Sequence, residues 1–217
     1  MTEKEAILQR HSVRKYEDKK IEPEKVKLIE AKIAELNAEG NLNLQFMEDA
    51  GKAFKGIILS AMGLGSAPSA IACAGEVAED LEERVGYYGE KLVLYLQTLG
   101  LNTCWVGSFK KSGVDAEITS GEKVVIAIAV GYGKTQGVPR KTKTADQVTA
   151  GKADRPDWFK EGVEMALLAP TAINQQKFVI TLNDDDTVSF ADKTGPYSKV
   201  ELGIVKCHFE IGAGRKI

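Results

Sequence analysis

Seven residues near the start of the chain, Arg10-His11-Ser12-Val13-Arg14-Lys15-Tyr16, hold its densest set of chemically useful side chains. In an extended segment side chains alternate faces with period two. Arg10, Ser12 and Arg14 then share one face, with two guanidinium forks and a hydroxyl between them. That set suits a phosphate, because arginine offers planar, charge-assisted and often bidentate hydrogen bonds. The same spacing suits a solvated charged turn after a first helix, so the pattern alone leaves both open. Other chemistries lack their residues. The only histidines are His11 and His208, and Cys73, Cys104 and Cys207 are widely separated, so no zinc site is expected. No Ser-His-Asp set assembles, and Asp184-Asp185-Asp186 reads as a turn. His208 falls on an apolar helical face, the position of a satisfied core or interface histidine. Cys104 and Trp105 read as packing.

The elements that must position these residues come from a chain of 217 residues, long enough for a real core. Hydrophobic residues make up 43% and charged residues 28%, an ordinary globular balance. A formal net charge of -2 gives no electrostatic case for nucleic acid or an anionic membrane as main partner. Three dispersed cysteines and an N-terminus without an apolar h-region predict reduced thiols in the cytoplasm. The uncharged stretch from Gly56 to Gly75 is long enough to span a bilayer. Its glycines, serines, alanines and Pro68 instead read as a turn followed by a buried strand.

Helical spacing predicts a short helix over 3–9 and a second from Pro23 to about Ala38, ended by Gly40-Asn41. Leu42, Leu44 and Phe46 alternate as in a strand, and Ser69–Ala74 reads as a buried strand. A long helix is expected from about Val77 to Leu99, with a break at Gly86 and Gly89 and Gly100 as its left-handed cap. Lys123–Val130 runs apolar without alternation, the pattern of a central strand covered on both faces. Residues 134–157 form a long polar connection, suited to wrapping or a partner contact. A helix over 158–168, a hairpin built on Lys177–Leu182 and Val188–Phe190, and a helix over 198–211 complete one α+β domain spanning 1–217. Ala67-Pro68-Ser69-Ala70-Ile71 and Ala169-Pro170-Thr171-Ala172-Ile173 are weakly alike, and each precedes a strand and a long helix.

Five segments carry a resemblance. Arg10–Tyr16 resembles the opening motif of the nitroreductase family of flavoproteins. Ala169–Phe178 is similar to that family's Ala-Pro-Ser-x-x-Asn-x-Gln segment, Leu99–Phe109 to its Leu-Gly-Leu-Gly-Thr-Cys-Trp turn, and Val124–Gly133 to the strand ending in Gly-Tyr. Pro139–Lys143 lies where the family carries its last phosphate-binding cations. The order departs from most members: the Ala-Pro segment follows the Gly-Tyr strand, as in a smaller subgroup. No match is found for the residues that usually bind the flavin pyrimidine.

The resemblance implies a nitroreductase-like fold, a central, mostly antiparallel sheet flanked by helices, with FMN at a homodimer interface. Arg10, Ser12 and Arg14 would bind the phosphate and ribityl end or the ring edge, with His11 adding a backbone contact. Lys141 and Lys143 would complete the phosphate cage, although two lysines also suit a solvated face. Pro170, Thr171, Ala172 and Asn174 would come from the other subunit and pack on the isoalloxazine. Val106, Gly107 and Ser108 would lie along the flavin, where glycine permits close backbone approach. The implied activity is ping-pong reduction of nitroaromatics, quinones or similar acceptors by NAD(P)H, with no catalytic side chain required. A flavin-binding storage or sensing protein with incidental redox activity is the alternative.

Overall fold

The computed structural model describes residues 1–217, except the side chains of residues 57 and 58. In chain order the elements are α1 (Glu3–Gln9), α2 (Pro23–Gly40), β1 (Asn43–Met47), α3 (Ile57–Ala61), β2 (Ser69–Glu76), α4 (Leu81–Thr98) and β3 (Asn102–Val106). Then come β4 (Glu122–Gly131), α5 (Ala145–Val148), β5 (Thr149–Gly151), α6 (Asp157–Ala166), β6 (Phe178–Leu182), β7 (Val188–Asp192) and α7 (Ser198–Ala213). Contacts group them into two compact units. One comprises Arg10–Leu81 and Leu92–Pro139, the other Met1–Gln9, Glu82–Lys91 and Arg140–Ile217.

The first unit is built on an antiparallel sheet ordered β1-β2-β4-β3. The unbroken apolar runs take its two interior positions. Ser69 to Gly75 is buried throughout β2, as is Ile126 to Gly131 in β4. The outer edge of β1 is met by a side chain: Asn37 of α2 donates Nδ2 to Leu44 O at 3.0 Å and accepts Leu44 N–H at 2.7 Å. Helix α2 ends as its sequence predicts, with Asn41 left-handed at φ 47 and its N–H on Asn37 O. Val13, Tyr16, Met47, Phe54, Leu64, Val106, Ala127 and Ala129 share one buried cluster. The predicted start of the long helix is four residues early. Val77 N–H still bonds Gly121 O at 2.9 Å, prolonging the strand pairing, so α4 begins only at Leu81.

The second unit carries the strands β5-β6-β7, with β5 parallel and β7 antiparallel to β6. Here the polar connection over 134–157 differs from its reading, because it contains α5 and β5. A capping box at Thr144 and Gln147 starts α5. Elements of four and three residues are too short to show a periodicity. Phe209 of α7 packs edge-on against Phe159 of α6 at 5.5 Å and Phe190 of β7 at 5.4 Å between centroids. His208 is fully buried, with Nε2 2.8 Å from Glu90 Oε1 and Nδ1 3.1 Å from Met165 O.

Gly86 does not break α4. It lets α4 and α7 touch: a Cβ there would lie 2.0 Å from Val200 O, and one on Gly203 would lie 2.0 Å from Glu83 O. The two contacts are reciprocal, the sixth residue of each helix resting on the third of the other. Lys206 bonds Glu83, and Tyr87 donates to Glu210 Oε2 at 2.6 Å across the same crossing. Gly86→Ala and Gly203→Ala are each expected to lower stability by about 1–3 kcal/mol through overpacking, despite roughly 1 kcal/mol of helix propensity gained. Denaturant midpoints test this; unchanged midpoints in both would show the helices need no glycine.

Candidate functional site

The Arg10 segment is fixed by backbone bonds at both ends rather than by a helix or full strand. Val13 N–H donates to Thr103 O at 3.0 Å, and Ser12 pairs Thr103 of β3 in a parallel bridge. Downstream, Tyr16 pairs Gly133, Glu17 N–H reaches Tyr132 O and Lys134 N–H reaches Lys15 O. Tyr16 is buried at 1% exposure, and its hydroxyl donates to Val13 O at 2.7 Å. Gly137, at φ +78, lies where a Cβ would be 2.5 Å from His11 Cβ, so glycine closes the segment's flank. Strict alternation does not hold. Arg10, Val13 and Tyr16 are buried at every third position, His11 and Ser12 are half-buried and Arg14 is exposed. The segment is tied at separate points, so a two-residue repeat is not imposed along it.

Arg10 and Ser12 nonetheless meet, at 3.4 Å from Nη2 to Oγ. Arg10 is 5% exposed, and its Nε is buried with no protein partner. Arg14 belongs to the same electrostatic neighbourhood. Burial raises the Cys104 thiol pKa, and the positive charges of Arg14 and then Arg10 oppose that rise. Burial likewise raises the Tyr16 hydroxyl well above its ordinary value; Cys104 adds to this and Arg14 opposes it. Cys104 stands on β3, whose end carries buried Val106, half-buried Gly107 and exposed Ser108. The structure thus brings Arg10, His11, Ser12 and Arg14 together beside β3, all within the first unit.

The remaining predicted residues form a second group, within the other unit. Arg140 Nη2 donates to Leu168 O and Ala169 O, both at 2.6 Å, satisfying carbonyls just past α6. Pro170 is buried, and the loop Thr171–Gln176 follows it. Lys141 presents its backbone O to Asn174 Nδ2 at 2.7 Å, and its side chain is exposed. Lys143 donates Nζ to Gln176 O at 2.7 Å and its N–H to Gln176 Oε1 at 2.9 Å. Gln176 N–H reaches Thr171 Oγ1 at 3.1 Å. Ile173, Asn174 and Gln176 have positive φ of 47, 58 and 46. A β-branched residue there is an outlier costing about 1–3 kcal/mol. Ile173 is 96% exposed, and Asn174 Oδ1 is buried without a partner.

Arg140 and Gln176 lie in segments that carry the resemblance, whereas Glu201 was not singled out from the sequence. Glu201 accepts both Ala172 N–H at 2.7 Å and Gln175 Nε2 at 3.1 Å on Oε1. It is 6% exposed between buried Val200 and Leu202, and an acid inside an apolar helical stretch was its only signal. Burial raises its carboxyl pKa, against the lowering effect of the Ala172 and Gln175 hydrogen bonds. Among the described residues no three His, Cys, Asp or Glu side chains gather to hold a metal ion. Nor is any helix among them long and apolar enough to cross a membrane.

The α+β architecture, with its antiparallel sheet and flanking helices, is the nitroreductase-like fold, as the sequence predicts. The model of a family described as "Putative TM nitroreductase" matches residues 3–213, and the chain belongs to this nitroreductase family of oxidoreductases. The crystal structure of a "putative nitroreductase" from Thermotoga maritima aligns with a TM-score of 0.71 and 25% identity, over 100% of this chain and 87% of that one. A "Putative NADH dehydrogenase/NAD(P)H nitroreductase" from Parabacteroides distasonis aligns at 0.53 and 21% identity, over 68% and 97%. A "Putative NADH Oxidase" from Clostridium acetobutylicum aligns at 0.51 and 22%, over 65% and 96%. These last two are alike in fold alone. No curated protein matches.

Two outcomes are expected from this geometry. Ile173→Gly relieves a left-handed cost of about 1–2 kcal/mol against roughly 0.5–1 kcal/mol of added chain entropy. It should therefore raise the denaturant midpoint or leave it level; a clear fall would show that Ile173 is packed. Glu201 contributes the opposite sign to an ordinary paired acid. Its folded pKa is raised, so its stabilising contribution is present below the unfolded value and lost as pH rises through the folded one. The stability of Glu201→Gln relative to the parent should therefore increase as pH rises from about 4 toward neutrality. A pH-independent difference would refute this.

Proposed function

We propose that this chain is an FMN-dependent NAD(P)H oxidoreductase that reduces nitroaromatics, quinones or similar acceptors by a ping-pong mechanism. We read it as a cytoplasmic homodimer in which Pro170, Thr171, Ala172 and Asn174 reach the flavin of the other subunit. The observation that carries the proposal is Arg10: a guanidinium 5% exposed, beside Ser12 Oγ, with a buried Nε that no protein atom satisfies. A buried cation needs an anion and a full set of acceptors. The phosphate of FMN supplies both, so the residues present fit the group.

The fit extends to other atoms. Arg14 adds a second charge to the same neighbourhood. The backbone of Val106, Gly107 and Ser108, just past β3, would lie along the ring. Asn174 Oδ1 is an unsatisfied acceptor suited to a ring N–H. Lys141 and Lys143 would reach the phosphate only in addition to their backbone bonds within the second unit. FMN, when bound, would supply the two-electron chemistry between NAD(P)H and the acceptor. The chain's part is to bind the phosphate, orient the ring and hold donors near its edge. No side-chain acid is needed where water reaches the site. Membership in a nitroreductase family supports the reading.

The test is an absorbance spectrum of the purified protein, taken before and after anaerobic addition of NADH or NADPH. Flavin bands that bleach with a donor and return with a quinone are expected. Bands that never bleach would favour binding or sensing; no flavin after incubation with FMN would overturn the proposal. Arg10→Ala and Arg14→Ala should each weaken FMN binding by about 1.5–3 kcal/mol. Unchanged affinity in both variants would remove the phosphate face.

A further inference from the structure

The loop Thr171–Gln176 adopts a conformation that its own residues do not favour. Ile173 and Asn174 are both left-handed, and neither is glycine. Such a pair persists only where surrounding groups over-determine it. Lys141 O holds Asn174 Nδ2 and Thr171 Oγ1 holds Gln176 N–H, but one atom spans the pair: Glu201 Oε1 takes Ala172 N–H at 2.7 Å before it and Gln175 Nε2 at 3.1 Å after it. Glu201 lies on the first turn of α7 at 6% exposure, where Val200 and Leu202 are buried and apolar. Packing alone calls for an apolar side chain there. Burial raises the carboxyl pKa, so the acid is held at some cost.

We propose that Glu201 is a positioning residue: through Ala172 and Gln175 it fixes the orientation in which Thr171, Ala172 and Asn174 meet bound flavin. The inference rests on reading those three as flavin contacts. One carboxyl oxygen accepting two donors is a local clamp, stronger when the group is ionised. A glutamine oxygen at the same place accepts the same two donors. Alanine leaves both unsatisfied, and aspartate is one methylene too short to reach them. The loop then keeps only its bonds to Lys141, Lys143 and Thr171 and relaxes toward ordinary backbone conformations, shifting the frame from which Thr171, Ala172 and Asn174 project.

The experiment compares full-length wild type with Glu201→Ala, Glu201→Asp and Glu201→Gln. FMN is titrated into the flavin-stripped proteins, followed by quenching of flavin fluorescence, with denaturant midpoints measured alongside. Glu201→Ala and Glu201→Asp should each raise the FMN dissociation constant at least about tenfold, and Glu201→Gln less than about threefold. Aspartate keeps the charge, so it carries the test if the alanine variant does not fold. Wild-type affinity in either shortened variant would overturn the proposal, and so would a glutamine variant as weak as the alanine one. A wild type that binds no FMN would overturn the flavin reading as well, and that is read on the wild type alone.

Discussion

A positive charge held almost out of water is the constraint on which the first unit's candidate site depends. Arg10 is buried to 5% exposure with one N–H unsatisfied, and an arrangement of that kind is costly unless something completes it. Folding tolerates it because the segment is tied down elsewhere. Tyr16 and Val13 are buried side chains on the same segment, and the Tyr16 hydroxyl closes onto Val13 O. Backbone bonds to Thr103 and Tyr132 lock the register. The apolar anchors supply the stability, and the guanidinium is carried along into a place it would not choose alone.

The same segment shows how far residue type and spacing reach. Arg10 and Ser12 do come together, and Arg14 acts on the same thiol as Arg10. The two-residue alternation behind that expectation is absent, because isolated bridges at Ser12 and Tyr16 replace a continuous ladder. Long elements with one dominant pattern were legible: β4 from its unbroken apolar run, α2 from its Pro23 start and Asn41 stop, the β6–β7 hairpin from its aspartates. What was not legible depended on distant partners. Gly86 looks like a helix breaker along the chain and is a contact point in space, because its reason is Val200. Nothing near Glu201 in sequence announces Ala172 or Gln175, which lie 29 and 26 residues away.

Departures from local preference are unevenly spread, and their distribution separates ordinary turns from one restrained loop. Asn41 and Asp186 are left-handed at a helix end and a hairpin, where those side chains tolerate the conformation. Tyr197 opens α7. The other three left-handed residues that are not glycine fall within 173–176, and one is a β-branched residue at 96% exposure. No turn chemistry calls for isoleucine there. A loop of this kind would drift if left alone, and it is instead bonded by the side chains of Lys143, Glu201 and Thr171 and by the backbone of Lys141.

Consistency across levels is what makes a sequence specify a fold, so places where it fails are where function is to be sought. Two such places stand out, one in each unit: a buried cation with an open donor, and a strained loop with an open acceptor at Asn174 Oδ1. The first offers a donor that an anion would satisfy, and the second offers an acceptor that a polar N–H or O–H would satisfy. Both occur on segments that resemble the family's motifs; the first is held by core side chains, Val13 and Tyr16, and the second by hydrogen bonds with Lys143, Glu201 and Thr171.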